Sequence, residues 1–468
     1  MGKFASFFAK TLGATNDDAL TESRPASISA VGLTAHPSQK ESKMPFRAVK
    51  GMNDVLPEQV GRWQRLEATF RHTVALYGYE EVRTPIVEPT ALFVRSIGEA
   101  TDVVDKEMYS FERHDESLTL RPEGTAGAAR AYVEHSQHAR EPISRWFYLG
   151  PMFRAERPQR GRYRQFHQAG CEVYGDLGPI CDAEMIAMLA DFYSKLGIAN
   201  LQIQVNSIGG AESRQRHRDA LLEFLRPKSA SLSEHARERV EQNPLRVLDS
   251  KDPRDRAACE GAPSVLDYLV EEDQTHFSRL RNALDAMGVA YTVTPGLVRG
   301  LDYYTRTLFE ISATSGDLGT QNALCGGGRY DKMIEGLGGQ NIPAVGFAMG
   351  LERVLLAMPE AAELTLPFCF FAPMGETATA RALAFAQALR REGVRVEVDS
   401  RGNRMKSMLR RADTMKARLV VILGDSELER SVAAIKDLEA HSQIEVSFDE
   451  LIGKVAELLA TVTAGRSA

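Results

Sequence analysis

Hydrophobic residues at positions 62–79 recur at intervals of three or four, which is the period of an amphipathic helix. The recurring residues are Trp63, Leu66, Phe70, Val74 and Tyr77. Gly78 follows the last of them and favours the end of the helix at that point. We therefore predict a helix over this segment, with an apolar face that suits either an internal core or a subunit interface.

Two segments with strand character flank a stretch that is rich in arginine. Residues 147–150 lead into this stretch, and QFHQAGCEVYG (165–175) follows it with β-favouring and small residues. The stretch itself, FRAERPQRGRYRQF (153–166), contains Arg154, Arg157, Arg160, Arg162 and Arg164. We predict that these arginines lie on a loop between two strands.

A charged segment with a helical composition follows, over about residues 211–285. Helix-breaking prolines interrupt it at Pro227, Pro244 and Pro253. Glycine-rich segments with strand character resume at Gly296. We interpret the charged segment as a helical insertion into a domain that is otherwise built around strands.

The last part of the chain has a third pattern. Val394, Val396 and Val398 alternate with charged residues, as in a half-buried strand. One face of the helix that follows is marked by Met405, Met408, Leu409, Ala412 and Met415. The next apolar strand is LVVIL (419–423), and the order strand, helix, strand predicts a parallel sheet.

Length and composition are those of a globular protein with several domains. The 468 residues exceed the usual size of a single core, and 43% of them are hydrophobic. We expect a tail at 1–43, a domain at 44–365 that includes the insertion, and a domain at 366–468. No apolar run approaches the roughly 20 residues that cross a bilayer, so no membrane association is predicted. Five scattered cysteines without a C-x-x-C pair favour a reducing cytoplasm.

Residues 1–43 mix Ser, Ala, Thr and Gly without sustained periodicity, which is typical of a disordered tail. Three alternatives stay open. The sequence after Met1 matches an N-myristoylation pattern that only a eukaryotic host could use, and the first residues resemble a transit peptide, although acidic residues follow closely. Met44 is also a candidate for the true start of the protein.

Charge is distributed unevenly along the chain. The formal net charge is −6, yet residues 390–418 hold ten basic and four acidic residues, a balance of +6 that leaves −12 elsewhere. Such an asymmetry suits the binding of a polyanion by the last domain. The alternative is a solvated helix face that binds nothing.

Common nucleotide and metal signatures are absent from the sequence. It has no G-x-x-x-x-G-K-[ST] phosphate loop and no G-x-S-x-G hydrolase motif, and CGGGRYD (325–331) lacks the third glycine of a dinucleotide fingerprint. His135 and His138 could share a helix face, but no third ligand lies nearby. We therefore predict no metal site held by the protein itself.

Four arginines lie beside glycines or at the ends of predicted strands. They are Arg154, Arg299, Arg329 and Arg353. A guanidinium binds phosphate oxygens through a fixed fork of donors and keeps its charge near neutrality, and a neighbouring glycine lets the backbone approach a bulky ligand. Together such arginines could neutralise a triphosphate. Taken singly, an arginine is more often part of a surface ion pair, and a glycine run is more often a turn.

Several motifs resemble those of one enzyme family. FRAERPQRGRYRQF resembles motif 2 of class II aminoacyl-tRNA synthetases, and PAVGFAMGLERVLLAM (343–358) resembles motif 3. LVRGLDYYTRTLFE (297–310) and GGGRYD (326–331) resemble two signatures of the histidyl-tRNA synthetase family, and LTLRPEGT (118–125) fits the same family. The resemblance implies an α+β catalytic domain with an antiparallel sheet, a helical insertion and a C-terminal α/β anticodon-binding domain.

The same resemblance implies how ATP is bound on that sheet. Arg154 would bind the α-phosphate, Glu156 the adenine amino group and Phe166 the adenine ring. Arg162 and Arg353 would bind the outer phosphates, which Mg²⁺ would bridge as part of the substrate. Arg299 would face the α-phosphate opposite Arg154 and also border the histidine site, so both arginines would be catalytic.

The resemblance also implies a site for the amino acid. The α-amino group would be bound by Glu123, Thr125 and Gln168. The imidazole pocket would be lined by Glu172, Tyr303, Tyr304 and Tyr330. Alternation along a strand puts one of the two adjacent tyrosines in the core, and the family match favours Tyr304 as the ligand. A carboxylate and phenolic hydroxyls can satisfy both imidazole nitrogens, so discrimination should need no editing domain.

The implied partners are ATP, L-histidine and tRNA(His), in a homodimer. Arg157 and Arg160 are not needed for ATP, so we expect the loop tip to contact the tRNA acceptor stem. A rival is the regulatory subunit of ATP phosphoribosyltransferase, a relative that senses histidine but lacks the C-terminal domain. A tRNA-binding module without enzymatic activity is a weaker third possibility, because it would not require the ATP arginines.

Overall fold

The computed structural model describes part of the chain. The described residues are 46–465 without 99–100, 102, 243, 249, 251, 299–302, 315–317, 319–321, 361–367 and 402–403. The predicted tail at 1–43 and the predicted catalytic residue Arg299 therefore lie outside the described residues. No helix within the described ranges is both long enough and apolar enough to cross a membrane.

Helices and strands follow one another along the whole described chain. The α-helices are α1 (Pro57–Leu76), α2 (Thr90–Ile97), α3 (Thr125–Glu134), α4 (Pro179–Lys195), α5 (Ala211–Leu225), α6 (Glu234–Gln242), α7 (Leu245–Leu248), α8 (Pro253–Ala258), α9 (Glu271–Ala286), α10 (Met333–Gly336), α11 (Leu351–Ala357), α12 (Glu376–Arg391), α13 (Met405–Thr414), α14 (Asp425–Glu429) and α15 (Leu451–Gly465). The strands are β1 (Glu80–Glu81), β2 (Val87–Pro89), β3 (Tyr109–Arg113), β4 (Glu116–Leu120), β5 (Ser144–Phe153), β6 (Gln165–Tyr174), β7 (Leu201–Ser207), β8 (Thr292–Val293), β9 (Thr305–Ala313), β10 (Ala323–Arg329), β11 (Ala344–Gly350), β12 (Cys369–Pro373), β13 (Val396–Val398), β14 (Leu419–Leu423), β15 (Val432–Asp437) and β16 (Ser442–Ser447).

The largest sheet has eight strands in the order β1-β5-β6-β11-β10-β9-β7-β8. The six inner strands pair antiparallel, and only the short edge strands β1 and β8 pair parallel with their neighbours. Strands β2, β4 and β3 form a separate small antiparallel sheet. The predicted antiparallel catalytic sheet is therefore confirmed.

Strand β6 separates the main core from the other face of the sheet. Its residues Ala169, Cys171 and Val173 belong to the main hydrophobic core, to which helices α1, α4, α9 and α11 also contribute. Successive side chains of a strand point to opposite faces, so Glu172 and Tyr174 point away from that core. Helix α3 packs there with Tyr174 in a second cluster. The face of the sheet that is turned away from the main core thus carries the polar side chain of Glu172 beside this second cluster.

The first two predictions of local structure are confirmed, with different bounds for the helix. Helix α1 begins at Pro57, five residues before the predicted start, because proline is well suited to the first helical turn. It ends at Leu76, and Gly78 has φ +76°, a conformation that favours glycine. Strands β5 and β6 flank residues 154–164, so the arginine-rich stretch is a loop between two antiparallel strands.

The segment predicted as a helical insertion is helical, with helices α5 to α9. A cluster of its own includes Leu222, Leu225, Leu232, Val240 and Val247. Helix α9 differs, because its residues Phe277, Leu280 and Leu284 belong to the main core. The charged composition of the segment did not reveal this last helix as part of the main core.

The C-terminal sheet has the order β13-β12-β14-β15-β16. Strands β13, β12 and β14 are parallel, as the strand-helix-strand pattern predicts. Strands β15 and β16, which lie beyond the segment that gave this pattern, add on as antiparallel neighbours. Met408 and Ala412 of α13 are buried in a cluster with Phe368 and Phe370, which confirms the predicted apolar face of that helix.

Candidate active site

Three of the predicted arginines converge on the polar face of the large sheet. Arg154 directly follows β5, Arg162 lies on the returning part of the loop, and Arg353 lies in the first turn of α11. The pKa of Arg353 is lowered, first by burial and then by the positive charges of Arg162 and Arg154. Like charges have therefore been brought close together, which is expected where an anion binds.

Two carboxylates partly balance this arginine cluster. Arg162 donates from Nη1 to Oε2 of Glu156 at 3.4 Å. The charges of Glu156 and Glu310 raise the pKa of Arg353, against the larger effects that lower it. The sequence did not single out Glu310 as a site residue, although it ends the LVRGLDYYTRTLFE motif. Its position on strand β9, inside a recognised motif, is the signal that could have identified it.

Arg154 is held in place at the end of β5 by its neighbours. Its Nε donates to the carbonyl oxygen of Pro122 at 2.9 Å, and its guanidinium lies 5.3 Å from the centroid of the Phe166 ring. Arg154 also lowers the pKa of Glu123, although burial raises that pKa overall. The guanidinium therefore lies between the predicted adenine-stacking residue and the predicted amino-group site.

The other loop arginines have different surroundings. The backbone N–H of Arg164 donates to the carbonyl oxygen of Gly51 at 2.7 Å, and its Nε donates to the carbonyl oxygen of Glu156 at 3.3 Å. The side chain of Arg164, which had no sequence-based role, therefore helps to fix the shape of the loop. Arg157 and Arg160 are exposed near the tip of the loop.

A buried polar pocket is centred on Glu172, whose side chain is fully buried on β6. Its Oε2 accepts a hydrogen bond from the hydroxyl of Tyr330, and its Oε1 accepts one from the hydroxyl of Tyr148 at 3.2 Å. Burial raises the pKa of Glu172 from 4.5 to about 8, although the hydrogen bonds from Tyr330 and Thr125 favour the carboxylate. This carboxyl group is therefore poised to take up or release a proton near neutrality.

Glycines provide the space for these side chains. A Cβ atom at Gly346 would lie 1.7 Å from Oε2 of Glu172, and one at Gly170 would lie 2.4 Å from the hydroxyl oxygen of Tyr148. Sequence reasoning missed Tyr148 as a member of the pocket. Strand alternation puts Tyr148 on the same face of β5 as Trp146, but only the pairing of Trp146 with Glu172 in the structure shows that this face lines the pocket.

The predicted amino-group residues gather at the start of helix α3. Glu123 accepts hydrogen bonds from the backbone N–H groups of Thr125 at 2.7 Å and Ala126 at 2.8 Å. Gln168 accepts one from the N–H of Gly124 at 3.0 Å. Burial is the largest cause of the raised pKa of Glu123. The structure thus brings Glu123, Thr125 and Gln168 together.

The two adjacent tyrosines precede β9 and stay in contact, with 4.6 Å between their ring centroids. Tyr304 is buried with Leu297 and Leu308 in a hydrophobic cluster. The ring of Tyr303 lies edge-on against Tyr330, with 5.6 Å between the centroids. The pKa of Tyr303 is raised by burial, by Tyr304 and by the charges of Glu123 and Glu172. Tyr303 also packs against the cluster that contains Tyr304, so the two rings share one environment beside Tyr330.

Arg329 does not join the arginine cluster, so its candidacy as a phosphate ligand is wrong. It is 0% exposed and forms an ion pair with Asp182, which is equally buried, at 2.9 Å. It also donates to Asp331 at 3.1 Å and to the carbonyl oxygen of Asp176 at 2.9 Å. Two of these partners, Asp182 and Asp176, lie 147 and 153 residues away in the sequence, so local sequence could not reveal them.

The described ranges contain no group of three or more His, Cys, Asp or Glu side chains arranged to hold a metal ion. The two histidines considered in the sequence have ordinary surroundings. His135 is exposed at the end of α3, and the ring of His138 lies 6.5 Å from that of Tyr132.

Comparisons with known proteins agree with this geometry. A model of the family described as histidyl-tRNA synthetase matches residues 51–354, and one described as anticodon binding domain matches residues 369–458. A histidine–tRNA ligase of Sorangium cellulosum (strain So ce56) is 59% identical over 406 residues, which cover 87% of this chain and 95% of that protein. Another, of Anaeromyxobacter sp. (strain K), is 47% identical over 421 residues, which cover 88% of this chain and 100% of that protein.

Among solved structures, apo histidyl-tRNA synthetase of S. aureus is 32% identical, with a TM-score of 0.75. The match covers 88% of this chain and 99% of that structure. The likeness therefore extends through both sheets and the helices between them. Because one family model spans more than half of the chain and the curated relatives match along nearly their whole length, the chain belongs to the histidyl-tRNA synthetase family.

Proposed function

We propose that this protein joins histidine to tRNA(His) in two steps. A carboxylate oxygen of histidine attacks the α-phosphorus of ATP, which forms histidyl adenylate and releases diphosphate. The adenylate then passes its histidyl group to the 3′ terminal adenosine of the tRNA and releases AMP. The observation that carries the proposal is the position of Arg154, a member of the arginine cluster that lies between Phe166 and the buried Glu123.

The arginine cluster would bind the triphosphate. Arg154 would neutralise the α-phosphate, while Arg162 and Arg353 would bind the outer phosphates. The lowered pKa of Arg353 supports this role, because repulsion among the three guanidiniums would be relieved by a bound polyanion. Glu156 would accept from the adenine amino group and Phe166 would stack on the adenine ring. Mg²⁺ would enter with ATP as part of the substrate.

The buried pocket would bind histidine. Glu123, Thr125 and Gln168 would bind the α-amino group at the start of α3, and Glu172 would accept from an imidazole N–H with Tyr330 beside it. We assign the second tyrosine position to Tyr304, which the family motif favours, with the ring of Tyr303 in contact with both Tyr304 and Tyr330. An apolar amino acid would leave these buried polar groups without partners, so it should be rejected strongly.

Arg299 would supply a second positive charge at the α-phosphate, opposite Arg154. This role rests on the family motif alone, since Arg299 is outside the described part of the structure. Removal of the positive charge at that position should act on the chemical step more than on ATP binding. A comparison of kcat and KM in the Arg299→Ala variant would test the assignment.

The tRNA would contact two separate regions. Arg157 and Arg160 are exposed at the loop tip, where they could reach the backbone of the acceptor stem. We propose the division 44–365 for catalysis, with its insertion, and 366–468 for anticodon binding. The basic balance of residues 390–418 supports the second assignment. Because tRNA charging takes place where proteins are made, the proposed location is the cytoplasm.

We also propose that the active form is a homodimer. Large hydrophobic side chains are exposed on helix α1 and on the small sheet, including Leu76, Val87 and Phe111. Exposed apolar surface of this kind often marks an interface between proteins. Light scattering should give twice the mass of one chain, and a stable, active monomer would contradict the proposal.

Histidine-dependent exchange of diphosphate into ATP tests the activity directly. We expect exchange with histidine and none with leucine or phenylalanine, followed by charging of a tRNA(His) transcript. Absence of exchange with intact, folded protein would overturn the proposed function and would favour a histidine-sensing role. Exchange without charging would instead limit the proposal to the first step.

A further inference from the structure

The helix that carries Arg353 is fastened at its N-terminal end by Glu352. The carboxylate oxygens of Glu352 accept the backbone N–H of His167 at 2.8 and 3.1 Å. One of them also lies 3.1 Å from Nδ1 of the His167 ring. His167 lies between Phe166 and Gln168, which we assigned to adenine and to the amino group. Glu352 therefore connects the start of α11 to the strand that carries both substrate sites.

The position of this contact follows from the register of the sheet. The pairing of β11 with β6 ends at Gly350 and Gln168. His167 precedes Gln168 on β6, and its backbone N–H donates to the side chain of Glu352 instead of to a neighbouring strand. A buried or half-buried N–H needs an acceptor, and a carboxylate gives a stronger hydrogen bond than a neutral group.

The C-terminal end of the same helix is fastened from α1. Arg62 donates from Nη2 to the carbonyl oxygens of Leu355 at 2.8 Å and Met358 at 3.1 Å. The last carbonyl groups of a helix have no partner within the helix, and a positive charge is favourable there. The adjacent residue Trp63 lies edge-on against the ring of His167, with 4.8 Å between centroids. Helix α1 thus contacts the C-terminal end of α11 through Arg62, and it contacts His167, the partner of Glu352, through Trp63.

We propose that Glu352 and Arg62 are positioning residues for ATP binding, which act by fixing helix α11 and hence Arg353. This inference rests on the proposed function. A Cβ atom at Gly161, in the arginine loop, would lie 3.3 Å from Cγ of Arg353 and 3.2 Å from Cδ1 of Leu356. A shift of α11 would therefore disturb Arg353 and the loop that carries Arg162 at the same time.

The test compares Glu352→Ala and Arg62→Ala with Arg71→Ala. Arg71 lies on α1, as Arg62 does, but it pairs with Glu81 and not with α11. We expect each of the first two variants to raise the KM for ATP in the exchange assay about tenfold, since misplacement by about 1 Å can cost up to about 100-fold. The KM for histidine should stay within about twofold, and Arg71→Ala should match the wild type.

The Glu352→Gln variant is included in case Glu352→Ala fails to fold. Its amide oxygen can still accept the N–H of His167, so the KM for ATP should lie between those of the wild type and Glu352→Ala. Equal increases in the KM for ATP and for histidine would overturn the proposal, because a general loss of structure would affect both. An unchanged KM for ATP in folded Glu352→Ala and Arg62→Ala would overturn it as well.

Failure of the proposed function would have a different signature. In that case the wild type itself would show no histidine-dependent exchange. Calorimetric titration with MgATP in the absence of histidine would then still compare the wild type with Glu352→Ala. Weaker binding by the variant would support the positioning role, and equal binding would contradict it.

Discussion

Replacing Glu172 by glutamine should remove a large part of the pH dependence of stability in the unit built on the eight-stranded sheet. Glu172 is fully buried, and burial is the main reason why its pKa is raised from 4.5 to about 8. The pKa in the folded protein is above that in the unfolded chain. The stabilising contribution of the protonated group is therefore complete below about pH 4.5 and is lost as the pH rises through about 8.

The raised pKa gives the size of the effect. A difference between 4.5 and about 8 corresponds to about 5 kcal/mol, at about 1.4 kcal/mol for each pH unit. About 2 kcal/mol of this is lost by pH 6, and about 3 kcal/mol more is lost between pH 6 and pH 9. Glutamine does not titrate, so the free energy of unfolding of Glu172→Gln should lack this loss. The tyrosine hydroxyls that donate to Glu172 can also accept from the new amide.

Urea unfolding followed by tryptophan fluorescence provides the measurement. The chain has two tryptophans, Trp63 on α1 and Trp146 on β5, so the signal reports the unit that contains Glu172. The difference in unfolding free energy between Glu172→Gln and the wild type cancels the titration of all other groups. Between pH 6 and pH 9, we expect the unfolding free energy of the variant to rise by about 3 kcal/mol relative to that of the wild type.

The outcome that refutes the reasoning is a difference that changes by less than about 1 kcal/mol over this range. It would mean that Glu172 is already ionised at pH 6 in the folded protein. The hydrogen bonds from Tyr330 and Tyr148 would then outweigh burial. Tyr330→Phe would distinguish this case, because loss of a hydrogen bond to a charged group costs about 1.5–3 kcal/mol and would restore the titration.

Three other predictions concern the arginines. Arg353→Ala should lower kcat/KM for ATP by about 100-fold in exchange assays without lowering the melting temperature, because it removes a phosphate-binding charge and relieves repulsion. Arg160→Ala should reduce tRNA charging, and reduce the slope of log affinity against log salt by about 1, while exchange stays unchanged; equal losses in both assays would contradict this division. Asp182→Ala should cost about 3–5 kcal/mol in urea unfolding, because Arg329 would lose its buried partner.

Sequence patterns predicted the local elements well where neighbouring residues determine them. The period of α1, the strands on both sides of the arginine loop and the strand at Leu419–Leu423 are present as expected. The family motifs also identified the residues that the structure brings together around Glu172 and around Arg353. In each case the signal lies within a short stretch of chain.

What sequence patterns could not reveal depends on contacts between distant segments. Arg329 follows three glycines, as a phosphate ligand could, but its partner Asp182 lies 147 residues earlier. Tyr148 has no motif of its own and joins the pocket only through its pairing across β5 and β6. The antiparallel addition of β15 and β16 depends on strand pairing, which the order of elements alone does not determine.

The loop between β5 and β6 shows how an acidic protein can gather positive charge for two purposes. Arg164 is used inside the loop, through its contacts with Gly51 and Glu156, and gives the loop a fixed shape. That shape brings Arg162 close enough to Arg353 to lower its pKa, so repulsion is built into the ligand-free protein. A bound triphosphate would remove this repulsion, which supports our proposal that the inner arginines bind a compact polyanion. Arg157 and Arg160 are exposed at the loop tip, where we propose that they contact tRNA.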